Sequence, residues 1–113
     1  TDPEVKIKVK SNESGPSGGL MMSLAIYNNL IPEDITKGLK IIGTGTIDED
    51  GNVGEIGGVK YKLAGAVKKK AKVFLCPKEN LDEVQELAQS NKYDIKIIGV
   101  STFKEALEEL SKL

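Results

Sequence analysis

Two residues in this chain have the chemistry and the setting to act on a substrate: a serine set among glycines, and a lysine at the start of a helix. Ser17 lies in Gly15-Pro16-Ser17-Gly18-Gly19 and runs at once into the apolar stretch from Leu20 to Leu30. Glycines on both sides let a substrate approach the backbone closely, and N–H groups at a helix start can stabilise an oxyanion. Gly15, Pro16 and Gly18 thus form the candidate oxyanion or substrate loop around Ser17. A phosphate would suit the same loop, and a serine there can also do no more than satisfy a backbone donor at the helix start. Lys60 falls in the first turn of the amphipathic stretch from Val59 to about Lys70. A cation there meets the positive end of the helix dipole, an effect of about 0.3 to 1 kcal/mol that favours the neutral amine, the proton-accepting form. The plainer alternative is one more solvated lysine among 16.

Composition narrows the chemistry. The chain has no histidine, so Ser-His-Asp and Cys-His catalysis are excluded within it, and any general base is a carboxylate or a lysine. With a single cysteine, Cys76, there is no ordinary zinc or transition-metal ligand set, and no metal or other cofactor is expected. Cys76 sits in an apolar strand before Pro77, the setting of a packed, inert thiol. The acidic "DEDGN", Asp48 to Asn52, reads as a hairpin turn rather than a calcium loop, because its glycine is misplaced and no matching glutamate follows. A net charge of −1 without any arginine argues against nucleic acid as a partner. No apolar run approaches the roughly 20 residues of a membrane span. The chain opens on Thr1 rather than methionine, so a single domain excised from a longer protein is expected over 1–113.

The elements that must position Ser17 and Lys60 follow from periodicity. Val5, Ile7 and Val9 alternate with charged residues across Glu4 to Lys10, a strand with one buried face. Pro16 suits the first turn of a helix that continues through Leu30. Lys40 to Ile47 reads as one β stretch and Val53 to Ile56 as its hairpin return, before Gly57-Gly58 and the helix from Val59. "KVFLCP" is a short buried strand, Leu81 to Ser90 a helix, and Ile95 to Val100 another strand. "TFKE", Thr102 to Glu105, is a capping box that opens the last helix. The order β-α-β-β-α-β-α-β-α predicts a layered α/β domain with two layers of secondary structure.

With these motifs in place, the chain resembles the C-terminal proteolytic core of the Lon protease family, from Glu13 onward. "GPSGGLMMSLAIYNNL" is similar to the family's Gly-Pro-Ser-Ala-Gly nucleophile segment, "GTGTI" (Gly43 to Ile47) to its Thr-Gly-x-Ile strand, and "GEIGGVKYK" with "PKEN" to its Gly-Gly-Leu-Lys-x-Lys and Pro-x-Glu-Asn segments. The resemblance implies the α+β fold of the second domain of ribosomal protein S5. It also implies a serine endopeptidase with a Ser-Lys dyad acting on polypeptides. Carried across, the nucleophile is Ser17 and the dyad lysine is Lys60, 43 positions on, which leaves Lys62 non-catalytic. Thr44, or else Thr46, would orient that lysine. Gly18 stands where alanine is usual, and Ser14 replaces the acid of the ATP-dependent members. No Walker A sequence is present, so an ATP-independent peptidase is expected. The look is closest to bacterial Lon-like proteases with a PDZ domain and a membrane anchor. That resemblance implies a homo-oligomeric ring such as a hexamer, and an extracytoplasmic site if PDZ-linked, or a cytoplasmic one within an ATP-dependent Lon. Two alternatives share the fold: a non-catalytic ring-assembly module, and a phosphoryl-transfer enzyme using "GPSGG" as a phosphate cradle.

Overall fold

The computed structural model describes residues 16–113; the strand expected over Glu4 to Lys10 and the loop residue Gly15 lie outside them. After a 3-10 turn over Pro16–Gly18, the elements are α1 (Gly19–Leu30), β1 (Ile41–Gly43), β2 (Thr46–Ile47), β3 (Val53–Gly54), α2 (Val59–Lys68) and β4 (Val73–Pro77). A second 3-10 turn, Lys78–Asn80, leads into α3 (Leu81–Ser90), β5 (Lys96–Val100) and α4 (Phe103–Ser111). The chain is a mixed α/β domain, as its periodicities require.

The main sheet is parallel, in the order β1-β4-β5, with Ile41 paired to Val73 and Val73 to Lys96. Its middle strand, Val-Phe-Leu-Cys-Pro, is buried at every position, which is why it reads as an unbroken apolar run rather than an alternating one. The pleat sends Val73 and Leu75 into a cluster with Leu20, Met21 and Leu24 of α1 and Ala106 and Leu110 of α4. Phe74 and Cys76 point the other way, into a cluster with Val59, Leu63 and Ala66 of α2 and Val84 and Ala88 of α3. Helices therefore cover both faces, and β4 divides the core between them. Cys76 is fully buried, and that burial pushes its thiol up to about 12, consistent with a packing role.

The β stretch expected over Lys40 to Ile47 is divided. β1 ends at Gly43, and β2 leaves the main sheet to form a small antiparallel hairpin with β3, in the register Ile47 to Val53. The break falls at Thr44-Gly45, where Gly45 takes φ +152°, a conformation that side chains rarely adopt. A Cβ on Gly45 would also lie 3.0 Å from Val53 Cγ1. The hairpin tip is the expected turn: the Asp48 carboxylate accepts from the backbone N–H groups of Asp50 and Asn52 at 2.9 and 2.8 Å. The Asn52 bonds, above all, hold the Asp48 carboxyl below the usual carboxylate range.

α4 opens with Thr102 as N-cap, its hydroxyl accepting from Glu105 N at 2.9 Å. The return bond of the box is displaced by one residue, since Glu105 accepts from Ser101 N at 2.7 Å rather than from Thr102. Ser101 is also where β3 docks, through Val53 N donating to Ser101 O at 2.8 Å. On α1, Met22, Ile26 and Leu30 form a four-residue-spaced stripe that is 46%, 56% and 77% exposed.

Candidate functional site

Ser17 sits in the middle of the first 3-10 turn and is half-buried, between exposed Pro16 and buried Gly18. Its backbone is held by chain segments far away in sequence. The Ser17 carbonyl accepts from Gly45 N at 2.8 Å and from the Thr44 hydroxyl at 3.3 Å, while Leu20 N donates to Gly45 O at 3.0 Å. Gly45 thus bonds to the residues on both sides of the turn, and Thr44, itself fully buried, ties back to the sheet through Thr44 N to Leu75 O at 2.9 Å. The break between β1 and β2 is what brings the Thr44-Gly45 corner under the serine.

Of the two lysines, the structure sets Lys62, not Lys60, beside the serine. Lys62 donates from Nζ to Ser17 Oγ at 3.4 Å and is half-buried, whereas Lys60 is exposed. The reason is helical geometry. Val59, Leu63 and Ala66 define the buried stripe of α2, and positions 60 and 62, about 200° apart at 100° per residue, flank that stripe on opposite sides. Only the Lys62 side faces the serine. The helix is launched by Gly58, at φ +69° in the left-handed region, which turns the chain from Ile56 into α2.

Thr44, expected to orient the lysine, has its hydroxyl donating to the Ser17 carbonyl at 3.3 Å, so that it holds the serine's backbone. Thr46 lies further along β2, its Oγ1 packed so closely on Gly54 that a Cβ there would be 2.5 Å away. Of the loop, Pro16 and Gly18 flank Ser17 as expected, with Gly18 as the N-cap residue of α1. The sequence reading named Lys62 but set it aside as non-catalytic, and it gave Gly45 no role; both lie at Ser17 in the folded domain. Spacing to the buried stripe marks both Lys60 and Lys62 as flanking positions, and only the location of Ser17 decides between them. Among the described residues, no group of three or more His, Cys, Asp or Glu side chains is arranged to hold a metal ion.

A serine hydroxyl within reach of a lysine amine, on a turn clamped to a buried threonine, is an arrangement that can activate an oxygen nucleophile without histidine. Comparison with known proteins agrees with the motifs. The model of the Lon protease (S16) C-terminal proteolytic domain matches residues 5–112. The chain is 33% identical over 97 residues to a Lon protease of Neorickettsia sennetsu and 34% identical over 95 residues to one of Haemophilus influenzae, covering 86% and 84% of this chain. It is 28% identical over 112 residues to a Lon protease of Methanosarcina barkeri, covering 96% of this chain. These alignments span only 12%, 12% and 14% of the respective relatives' own lengths. The chain belongs to the Lon protease C-terminal proteolytic domain family.

Proposed function

We propose that this domain hydrolyses peptide bonds with Ser17 as nucleophile and Lys62 as general base. The observation that carries the reading is the 3.4 Å approach of Lys62 Nζ to Ser17 Oγ, on a chain of a family of proteolytic domains. In the neutral form, the Lys62 amine takes the hydroxyl proton as Ser17 Oγ attacks the substrate carbonyl carbon, and a tetrahedral oxyanion forms. Backbone N–H groups of the glycine-flanked turn are the candidates to hold that oxyanion. The lysine then gives the proton to the leaving amine, and an ester to Ser17 remains. Water, deprotonated by the same lysine, attacks the ester and restores the serine. Contacts of 3.4 Å between nucleophile and base are ordinary without substrate and tighten in the reacting complex. The Thr44 and Gly45 bonds keep the Ser17 backbone from drifting while its side chain reacts.

Each step uses groups of the chain itself and water, so the mechanism requires neither metal nor nucleotide, and cleavage is proposed to be ATP-independent. Polypeptides as substrates, and assembly into a ring that receives them from other domains, belong to the same proposal. The test is mass spectrometry after treatment with a peptidyl fluorophosphonate. A single adduct on Ser17, prevented by Ser17→Ala, is expected. An adduct on another residue, or none while peptide is being cleaved, would overturn the assignment.

A further inference from the structure

Asn80 ends the "PKEN" segment at the start of α3 and is 5% exposed. Its side-chain amide does not cap that helix; it is spent on one distant residue. Ile56 N donates to Asn80 Oδ1 at 3.0 Å, and Asn80 Nδ2 donates to Ile56 O at 3.1 Å. Both backbone groups of Ile56 are thus satisfied by one side chain, a two-point clamp that fixes the orientation of that peptide segment as well as its position. The Ile56 side chain packs into the cluster of Val59, Leu63, Phe74 and Cys76. Immediately after it come Gly57 and Gly58, neither of which has a Cβ to restrict its backbone, and then α2. Gly57 and Gly58 are all that stands between the clamped Ile56 and the helix that carries Lys62.

We propose that Asn80 is a positioning residue for the Ser17–Lys62 pair: by clamping Ile56 it sets where α2 begins, and hence where the Lys62 amine stands relative to Ser17 Oγ. The inference rests on the reading of Lys62 as the base. A displacement of about 1 Å at a reacting pair can cost about 100-fold in rate, so a clamp outside the site can control it.

The experiment compares Asn80→Ala, Asn80→Asp and Lys62→Met with wild type in the full chain. It follows the rate of fluorophosphonate labelling at Ser17, kcat and KM for a peptide, and amide hydrogen exchange at Ile56. In Asn80→Ala, Ile56 exchange is expected to accelerate about tenfold or more, and labelling and kcat to fall about tenfold or more, with KM within about twofold. Asn80→Asp keeps the acceptor for Ile56 N but turns a carboxylate toward Ile56 O, so a folded Asp variant is expected to be slowed as well. Faster exchange at Ile56 with wild-type labelling and kcat in either folded variant would mean that Asn80 is only structural and would overturn the proposal. Unchanged exchange would overturn it too. Lys62→Met separates the two readings: if it labels at the wild-type rate, the base assignment fails by itself, whatever Asn80 does.

Discussion

The Ser17 turn and the start of α4 are both helix openings, yet they are held in opposite ways. At α4 the bonds are local: Thr102 to Glu105, three residues apart, and Glu105 to Ser101, four apart. At Ser17 the holding bonds reach Thr44 and Gly45, 27 residues and more along the chain, and the side chain meets a lysine 45 residues away. The first kind of opening is a matter of stability and can be rebuilt by any sequence with the right cap. The second depends on the whole fold, because the sheet must place the Thr44-Gly45 corner before the turn has anything to rest on. Activity and stability should therefore separate between the two regions.

Replacing the reacting hydroxyl gives the largest expected effect. Ser17→Ala should lower peptide cleavage by about 1,000-fold or more, as loss of a covalent nucleophile does, while the thermal midpoint changes little. A folded variant with undiminished cleavage would end the comparison, since the turn would then be structural like its counterpart at α4. Next comes Gly45→Ala, which forces a side chain into φ +152° and against Val53 and Leu20. A cost of about 1 to 3 kcal/mol is expected in denaturant unfolding, together with a clear loss of kcat, because the same residue bonds to Ser17 and Leu20. Thr102→Ala should act on one axis only: about 1 kcal/mol lost in unfolding and unaltered turnover by the folded fraction.

The smallest effect is expected with pH. The Ser101 N–H bond, followed by Lys78 at 3.0 Å, holds the Glu105 carboxyl below its ordinary range. A carboxylate depressed in the folded state stabilises fully above its unfolded value, about 4.3, and loses that contribution as pH falls through the folded value. The melting-temperature gap between wild type and Glu105→Gln should therefore narrow as pH drops below about 4. A gap that stays constant to low pH would show that the carboxylate's charge plays no part.

What the sequence made legible follows the same division. The apolar run of β4, the amphipathic spacing of α2 and the capping box of α4 each state their structure within a few residues, and each forms where the pattern puts it. The break at Thr44-Gly45 was not legible. Residues 40–47 set β-favouring Ile and Thr around Gly43 and Gly45, and what divides them at this point is a set of bonds to Ser17, Leu20 and Leu75 that no local pattern carries. Ser17 stands out in the sequence by its glycines, whereas nothing local marks which lysine lies beside it. Counting residues along the chain selects Lys60, but two flanking positions of one helix differ only in which way they face in the folded domain. The family motifs pointed to Lys60, and the folded domain sets Lys62 beside Ser17.

The central claim is that Lys62, not Lys60, serves Ser17, and one paired measurement addresses it: peptide cleavage by purified, folded Lys60→Arg and Lys62→Arg under identical conditions. A guanidinium keeps the positive charge but stays protonated and cannot act as a base. Lys62→Arg should lose about 100-fold or more of kcat, the scale of a general base, while Lys60→Arg stays within about twofold of wild type. Loss in Lys60→Arg with near-normal cleavage by Lys62→Arg would contradict the account.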